Sequence, residues 1–236
     1  MNKHIAAVLI LLTSCVPAFA QEVHSDVEFS YVDGVIEIEP GVEGYVFEGE
    51  FGTGAFATLA NEPGIASEPE EGLGVNAGNI IGFNVIGNLQ YWDGMQFSSP
   101  GDTAITIEGV GGAPDTVIDA GSAAQPVSFS TPTNLLGQAD AEGEVHVDPG
   151  FSISPTAAIG GYGIVLSLAT DDPAGIEDSA PFGIFLNFGE LDEELFEAGV
   201  EAFATANALT VVPEPSTAWL LLTAMAILAI RHRKGL

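Results

Sequence analysis

Glu144-Val145-His146-Val147-Asp148 alternates polar and apolar residues, so as a strand it shows Glu144, His146 and Asp148 on one face. An imidazole and a carboxylate two residues apart on a strand can share one metal ion. His24, Asp26 and Glu28 repeat the theme. The same alternation also describes the polar face of a half-buried strand whose other face is Val145 and Val147. That reading carries more weight, and the identity of any metal ligand stays open. Asp171-Asp172-Pro173-Ala174-Gly175-Ile176-Glu177-Asp178 offers carboxylate oxygens to calcium. It lacks the ligand spacing of an EF-hand loop, so an acidic turn without an ion is the simpler expectation. Tyr91 and Trp92 beside a hairpin tip have rings that can stack on sugars, although cross-strand packing is the commoner use of such residues.

Nucleophilic chemistry has little to work with. There is no Gly-x-Ser-x-Gly elbow and no P-loop in the chain. Cys15 is the only cysteine, and it lies in the segment read below as a leader. A mature form beginning at Gln21 has no thiolate nucleophile, no disulfide and no cysteine-ligated metal. A serine–histidine–aspartate site would have to use His24 or His146, and no local pattern favours either. Paired carboxylates for glycoside hydrolysis cannot be located from spacing alone. The expectation is no enzyme and no catalytic residue.

These side chains must be positioned by strands. Val27–Tyr31 alternates, Asp33-Gly34 is a type I′ hairpin signal, and Val35–Glu39 returns with Ile36 and Ile38 on one face. Residues 42–51 continue as strand interrupted by Gly. Gln90-Tyr91-Trp92, Asp93-Gly94 and Met95-Gln96-Phe97 read as a second hairpin. Further strands are expected at Ile80–Ile86, Thr103–Glu108, Thr116–Asp119, Val127–Ser130, Glu144–Ile153, Ile164–Ala169 and Phe182–Phe188. Asn61–Asn76, with its prolines and Glu62, Glu68, Glu70 and Glu71, reads as a long acidic loop. One helix is expected from about Leu191 to Ala204, with Asp192, Glu193 and Glu194 in the first turn, where the dipole favours negative charge. Leu191, Leu195, Phe196 and Phe203 form its apolar stripe, expected to pack on the edge of the sheets. Strands spaced by Gly, Pro and Asp argue an all-β fold, a β-sandwich or jelly roll with one short amphipathic helix.

The charge map bounds the partners. The chain of 236 residues has 33 Asp and Glu but only 4 Lys and Arg. Those cations are Lys3, Arg231, Arg233 and Lys234, and every acid lies between Glu22 and Glu214. Counterion release onto phosphates needs Lys or Arg, so nucleic acid is excluded as a partner of the body.

Residues 1–20 read as a secretory signal peptide. Lys3 and His4 begin it, Ile5–Leu12 is an unbroken apolar run, and Ala18-Phe19-Ala20 is a small-x-small cleavage site before Gln21. Leu12-Thr13-Ser14-Cys15 also resembles a bacterial lipobox, which would make Cys15 a lipidated first residue. At the other end, Val212-Pro213-Glu214-Pro215-Ser216-Thr217 precedes an apolar run, Ala218–Ile230, and then Arg231-His232-Arg233-Lys234. Prolines around Glu214 keep the backbone extended. The basic cluster marks a cytoplasmic end. As helix, Ala218–Ile230 would span ~20 Å, short of the ~30 Å hydrocarbon core. Ser216, Thr217 and snorkelling arginines make up the shortfall, giving a transmembrane helix over 216–230.

This tail resembles the PEP-CTERM sorting signal of exosortase substrates, in Pro213, Glu214 and Pro215, the hydrophobic helix, and Arg231, Arg233 and Lys234. The likeness covers about 25 residues at the C-terminus. The opening His24–Gly34 is similar to other secreted proteins carrying this tail, which implies no activity. The resemblance implies transient partners, signal peptidase and an exosortase, with the membrane helix holding the precursor and exopolysaccharide as a possible matrix partner. The organisation expected is therefore a signal peptide (1–20), an acidic β-rich extracellular domain (21–210) and a sorting tail (211–236). The role expected is that of an exported protein of the cell surface or extracellular matrix, structural or adhesive. The alternative is a carbohydrate- or calcium-binding module, with a glycan-active enzyme third. No cofactor is expected, calcium being the one candidate.

Overall fold

The computed structural model describes residues 26–41, 44–69 and 74–209. The residues expected to form the signal peptide, the Pro-Glu-Pro signal and the helix over 216–230 lie outside the described residues. Among the described residues no helix is long and apolar enough to cross a membrane.

The strands in chain order are β1 (Val27–Val32), β2 (Val35–Ile38), β3 (Val46–Glu50), β4 (Leu59–Ala60), β5 (Ile65–Ser67), β6 (Ile80–Val85), β7 (Gln90–Trp92) and β8 (Phe97–Ser98). They continue with β9 (Ala104–Ile107), β10 (Thr116–Asp119), β11 (Leu135–Gln138), β12 (Val145–Val147), β13 (Phe151–Ile153), β14 (Gly160–Thr170) and β15 (Phe182–Phe188), and then α1 (Glu193–Ala206). Among the described residues the fold is all-β with one α-helix. Two four-stranded sheets have the orders β12-β5-β1-β2 and β10-β9-β13-β4, and a seven-stranded sheet runs β11-β6-β14-β15-β3 with β7 and β8 attached through β14.

One apolar cluster joins all three sheets. Val27, Phe29 and Val145 come from the first, Ile105, Ile118 and Phe151 from the second, and Ile164, Leu166, Phe182 and Ile184 from the third. Alternation explains the assignment, because successive side chains of a strand point to opposite faces. Tyr162, Ile164, Leu166 and Leu168 of β14 enter this cluster. The intervening positions turn to the other face, which α1 covers.

That second face is set by glycine. Phe203 of α1 is fully buried beside Phe185, their ring centroids 5.2 Å apart. A Cβ built on Gly163 would stand 2.3 Å from Phe203 Cε2, and one on Gly183 would stand 2.5 Å from Phe203 Cε1. The two glycines are the floor of a socket for this ring. Glycine costs strand stability on entropic grounds, and here the close approach of the helix offsets it. The helix thus packs on the face of the seven-stranded sheet, not on an edge as expected. Phe196, Gly199, Val200, Phe203 and Ala204 are its buried residues. Leu195, expected in the apolar stripe, is 42% exposed. Asp192 is the N-cap, its Oδ1 accepting the Glu194 N–H at 3.1 Å.

The first hairpin is as expected, with Val32 opposite Val35 and positive φ at Asp33 and Gly34. The second differs. Trp92 pairs with Phe97, so the connection runs over 93–96 and Met95 is not in a strand. Asp93 Oδ1 accepts the N–H groups of Met95 and Gln96 at 3.0 and 2.9 Å, which folds the longer turn.

Three other expectations are corrected. The supposed loop 61–76 contains β5, with Ile65, Ala66 and Ser67 all buried. Its backbone pairs on both sides, with β1 and β12, which so short an apolar stretch does not announce locally. Val127–Ser130 is not a strand. Pro126 and Pro132 flank it, and Ser128 and Thr133 close a turn by reciprocal backbone bonds of 3.2 and 3.0 Å. The ladder position beside β6 goes to β11 instead. Glu144–Ile153 is two strands in two different sheets, broken at Pro149-Gly150, because Pro has no N–H for a ladder.

Candidate functional site

The sheet β12-β5-β1 carries its apolar side chains inward and its polar ones outward. Val27 is paired with Ile65, and Ile65 with Val147. One residue before β1 stands Asp26, one before β5 Gly64, and one after β12 Asp148. The register therefore sets Asp148, Gly64 and Asp26 in one row across the outer face. The next row on that face is His146, Ala66 and Glu28. Outer strands in such a trio are about 9.6 Å apart, too far for short side chains to meet unless they lean inward. The middle column is Gly64 and Ala66, and both leave that space open.

The flanking side chains fill it. A Cβ on Gly64 would lie 2.7 Å from Asp26 Oδ1 and 3.0 Å from Asp148 Oδ1. Asp26 Oδ1 also accepts the Gly64 N–H at 3.2 Å. His146 Nε2 is 3.6 Å from Asp26 Oδ2 and 3.8 Å from Asp148 Oδ1. Its other ring nitrogen, Nδ1, is 3.5 Å from Glu68 Oε1, from the residue just after β5. The two polar triads read from the sequence thus converge. Asp26 from one and His146 with Asp148 from the other meet over β5, joined by Glu68. Glu144, just before β12, is exposed. His24 lies outside the described residues. Among the described residues no group of three or more His, Cys, Asp or Glu is gathered closely enough to hold an ion as it stands.

The acidic turn at 171–178 is internally bonded. Asp172 is only 8% exposed. Its Oδ2 accepts Nδ2 of Asn76 at 2.6 Å and Nδ2 of Asn79, and its Oδ1 accepts the Ala174 N–H at 2.7 Å. The Asn76 amide, then the Ala174 N–H and the Asn79 amide, hold this carboxyl below the usual carboxylate range. Asp171 Oδ1 accepts the Ile80 N–H at 2.7 Å, and Asp178 accepts from Asn84 Nδ2 at 3.0 Å. These oxygens tie the turn to β6 and its approach. Tyr31 donates from its hydroxyl to Thr170 at 2.7 Å in the same network, and burial foremost raises its phenol.

Tyr91 and Trp92 do not present faces for a sugar. Both are buried, at 8% and 7% exposed. Tyr91 stacks near Tyr162 at 5.0 Å and donates to the Ile159 carbonyl, while Trp92 Nε1 donates to the Leu195 carbonyl at 2.9 Å. A polar cavity of about 270 Å³ lies beside β10. Its Thr116 hydroxyl donates to Asn134 Oδ1 at 2.6 Å and Asn134 Nδ2 donates to the Gln125 carbonyl at 3.0 Å, so its inner polar groups satisfy one another.

The cleavage residues Ala18, Ala20 and Gln21, and the sorting residues Pro213, Glu214, Pro215, Arg231, Arg233 and Lys234, lie outside the described residues. What the fold and site define is an acidic all-β body whose one histidine among the described residues meets carboxylates that flank three strands. No protein-family model matches the chain, and comparison with curated proteins and with solved structures gives no significant match.

Proposed function

We propose that this chain is an exported protein of the cell surface or extracellular matrix, structural or adhesive in role, with its C-terminal tail processed by an exosortase. In this reading the body is a β-sandwich-like module, signal peptidase removes residues 1–20, and a membrane helix over 216–230 holds the precursor until the Pro213–Pro215 region is cut. The observation that carries it is the segregation of charge. All Lys and Arg sit at positions 3 and 231–234, and all 33 acids sit between them. Positive charge is retained on the cytoplasmic side of membrane segments, so this distribution fits two cytoplasmic ends and a translocated middle. The body supports a non-catalytic role in that its best-organised polar groups, around Asp172, brace the fold.

The test replaces Pro213, Glu214 and Pro215 with Ala in the native host. The full-length chain then accumulates in the membrane fraction. A variant that reaches the surface at the normal mature size would remove the sorting signal from the account.

A further inference from the structure

We propose that His146, Asp26 and Asp148 form a binding site for one divalent transition-metal ion of the zinc type, with Glu68 as the residue that orients the imidazole. The inference is independent of the tail and of any processing.

The donors come from the two strands that flank β5, and the orienting residue comes from the end of β5 itself. Asp26 leads into β1, Glu68 follows β5, and His146 and Asp148 belong to β12 and its exit. A tetrahedral zinc with bonds of about 2.1 Å holds neighbouring donor atoms ~3.4 Å apart. His146 Nε2 stands 3.6 Å from Asp26 Oδ2 and 3.8 Å from Asp148 Oδ1. Both gaps exceed the bound spacing by only a few tenths of an ångström, and Asp148, with a side chain 65% exposed, is free to close them.

Two features separate this cluster from an ordinary acidic face. The first is the floor. Gly64 is buried, and a Cβ on it would crowd Asp26 Oδ1 at 2.7 Å and Asp148 Oδ1 at 3.0 Å. Both carboxylates face the same imidazole nitrogen over a backbone glycine, and because the described residues contain no Lys or Arg, either the His146 imidazole or a bound cation must offset their repulsion. The second is the far side of the imidazole. A histidine that ligates through one nitrogen commonly faces a carboxylate with the other, which fixes the ring and its tautomer. Glu68 Oε1 stands 3.5 Å from His146 Nδ1 in that role. One imidazole and two carboxylates suit zinc, cobalt or manganese better than calcium, which takes six to eight oxygens. Water completes the coordination.

The experiment titrates the full-length chain with Co²⁺ in excess Mg²⁺, which occupies the many weak carboxylate sites. Absorption in the visible d–d region reports a low-coordinate N/O site, and Zn²⁺ is then added to displace it. One saturable equivalent of Co²⁺ is expected, released by Zn²⁺. His146→Gln should weaken binding at least tenfold and abolish the absorption, with circular dichroism confirming an intact fold. Asp26→Asn should weaken it similarly. Glu68→Gln should lower affinity about tenfold while keeping the absorption, as a positioning residue does. Gly64→Ala, which refills the cradle, should also lose the ion. Absence of any saturable Co²⁺ site in the wild-type chain, or an unchanged site in folded His146→Gln, would overturn the proposal.

Discussion

Asn79 donates its side-chain amide to Asp172 Oδ2, the same oxygen that Asn76 reaches at 2.6 Å. In most proteins a nearly buried carboxylate is met by Arg or Lys. The described residues of this chain contain neither, and neutral amides stand in their place. Asn84 to Asp178 at 3.0 Å is a second case. Neutral donors satisfy the oxygens without adding charge. Among the described residues no buried side-chain nitrogen or oxygen lacks a hydrogen-bond partner, so a body of such charge is held by amides, backbone N–H groups and its apolar core.

Asp172→Asn is expected to lower the thermal midpoint at neutral pH, because an amide cannot accept all three donors in place of the carboxylate. Hydrogen bonding depresses the Asp172 carboxyl in the fold. A depressed carboxyl contributes stability that is present above its unfolded value, about 3.9, and lost as pH falls through the folded value. The gap between wild type and variant should therefore close on acidification below about pH 4. Thermal unfolding across that range measures it, and a gap independent of pH would contradict the assignment.

The socket of Phe203 makes a double-mutant cycle informative. Phe203→Ala empties a fully buried ring site and should cost about 3–5 kcal/mol in denaturant unfolding. Gly163→Ala drives a methyl into the ring and should cost about 1–3 kcal/mol. Combined, the second change should cost little, since the ring it strikes is gone. Strict additivity would place Gly163 and Phe203 out of contact.

Tyrosine ionisation should lag behind that of the unfolded chain. Burial is the leading cause that pushes Tyr162 up to about 12, and it also raises Tyr91 and Tyr31. Neutral phenols are favoured in the fold, so stability is unaffected below about pH 10 and falls as pH rises from there toward the folded value. Absorbance of tyrosinate in a pH titration, native against denatured, reads the difference directly. Coincident curves would show that these rings are solvated.

Asp192→Ala should cost about 1 kcal/mol by removing the cap from the Glu194 N–H. Urea unfolding with helix content followed by circular dichroism is the measurement. Asp192→Ser, which restores an accepting oxygen, should recover most of it.

Export is tested at the other end. N-terminal sequencing of the secreted form is expected to begin at Gln21. A start at a modified Cys15 would instead establish the lipoprotein reading.

The sequence alone carried what depends on local pattern and on counting. Alternation marked β1 and β2, and the Asp33-Gly34 turn was legible because its positive φ angles suit those two residue types. The helix was legible from its acidic start and spaced aromatics. The charge map, and the expectation of a signal at each end, needed only composition and order. Tertiary structure decided what depends on pairing at a distance. Three residues of β5 are too few for a periodic signal, and they are strand because β1 and β12 supply partners on both sides. Leu195 is exposed on the helix while Gly199 is buried in it, since the Trp92 ring packs so close that a Cβ on Gly199 would stand 2.7 Å from it. The alternation of a histidine with carboxylates is legible twice along the chain, but the meeting of the two stretches is not. Spacing places residues on a face of one strand, whereas only sheet order sets Asp26 beside His146, and only the missing side chain of Gly64 lets them close.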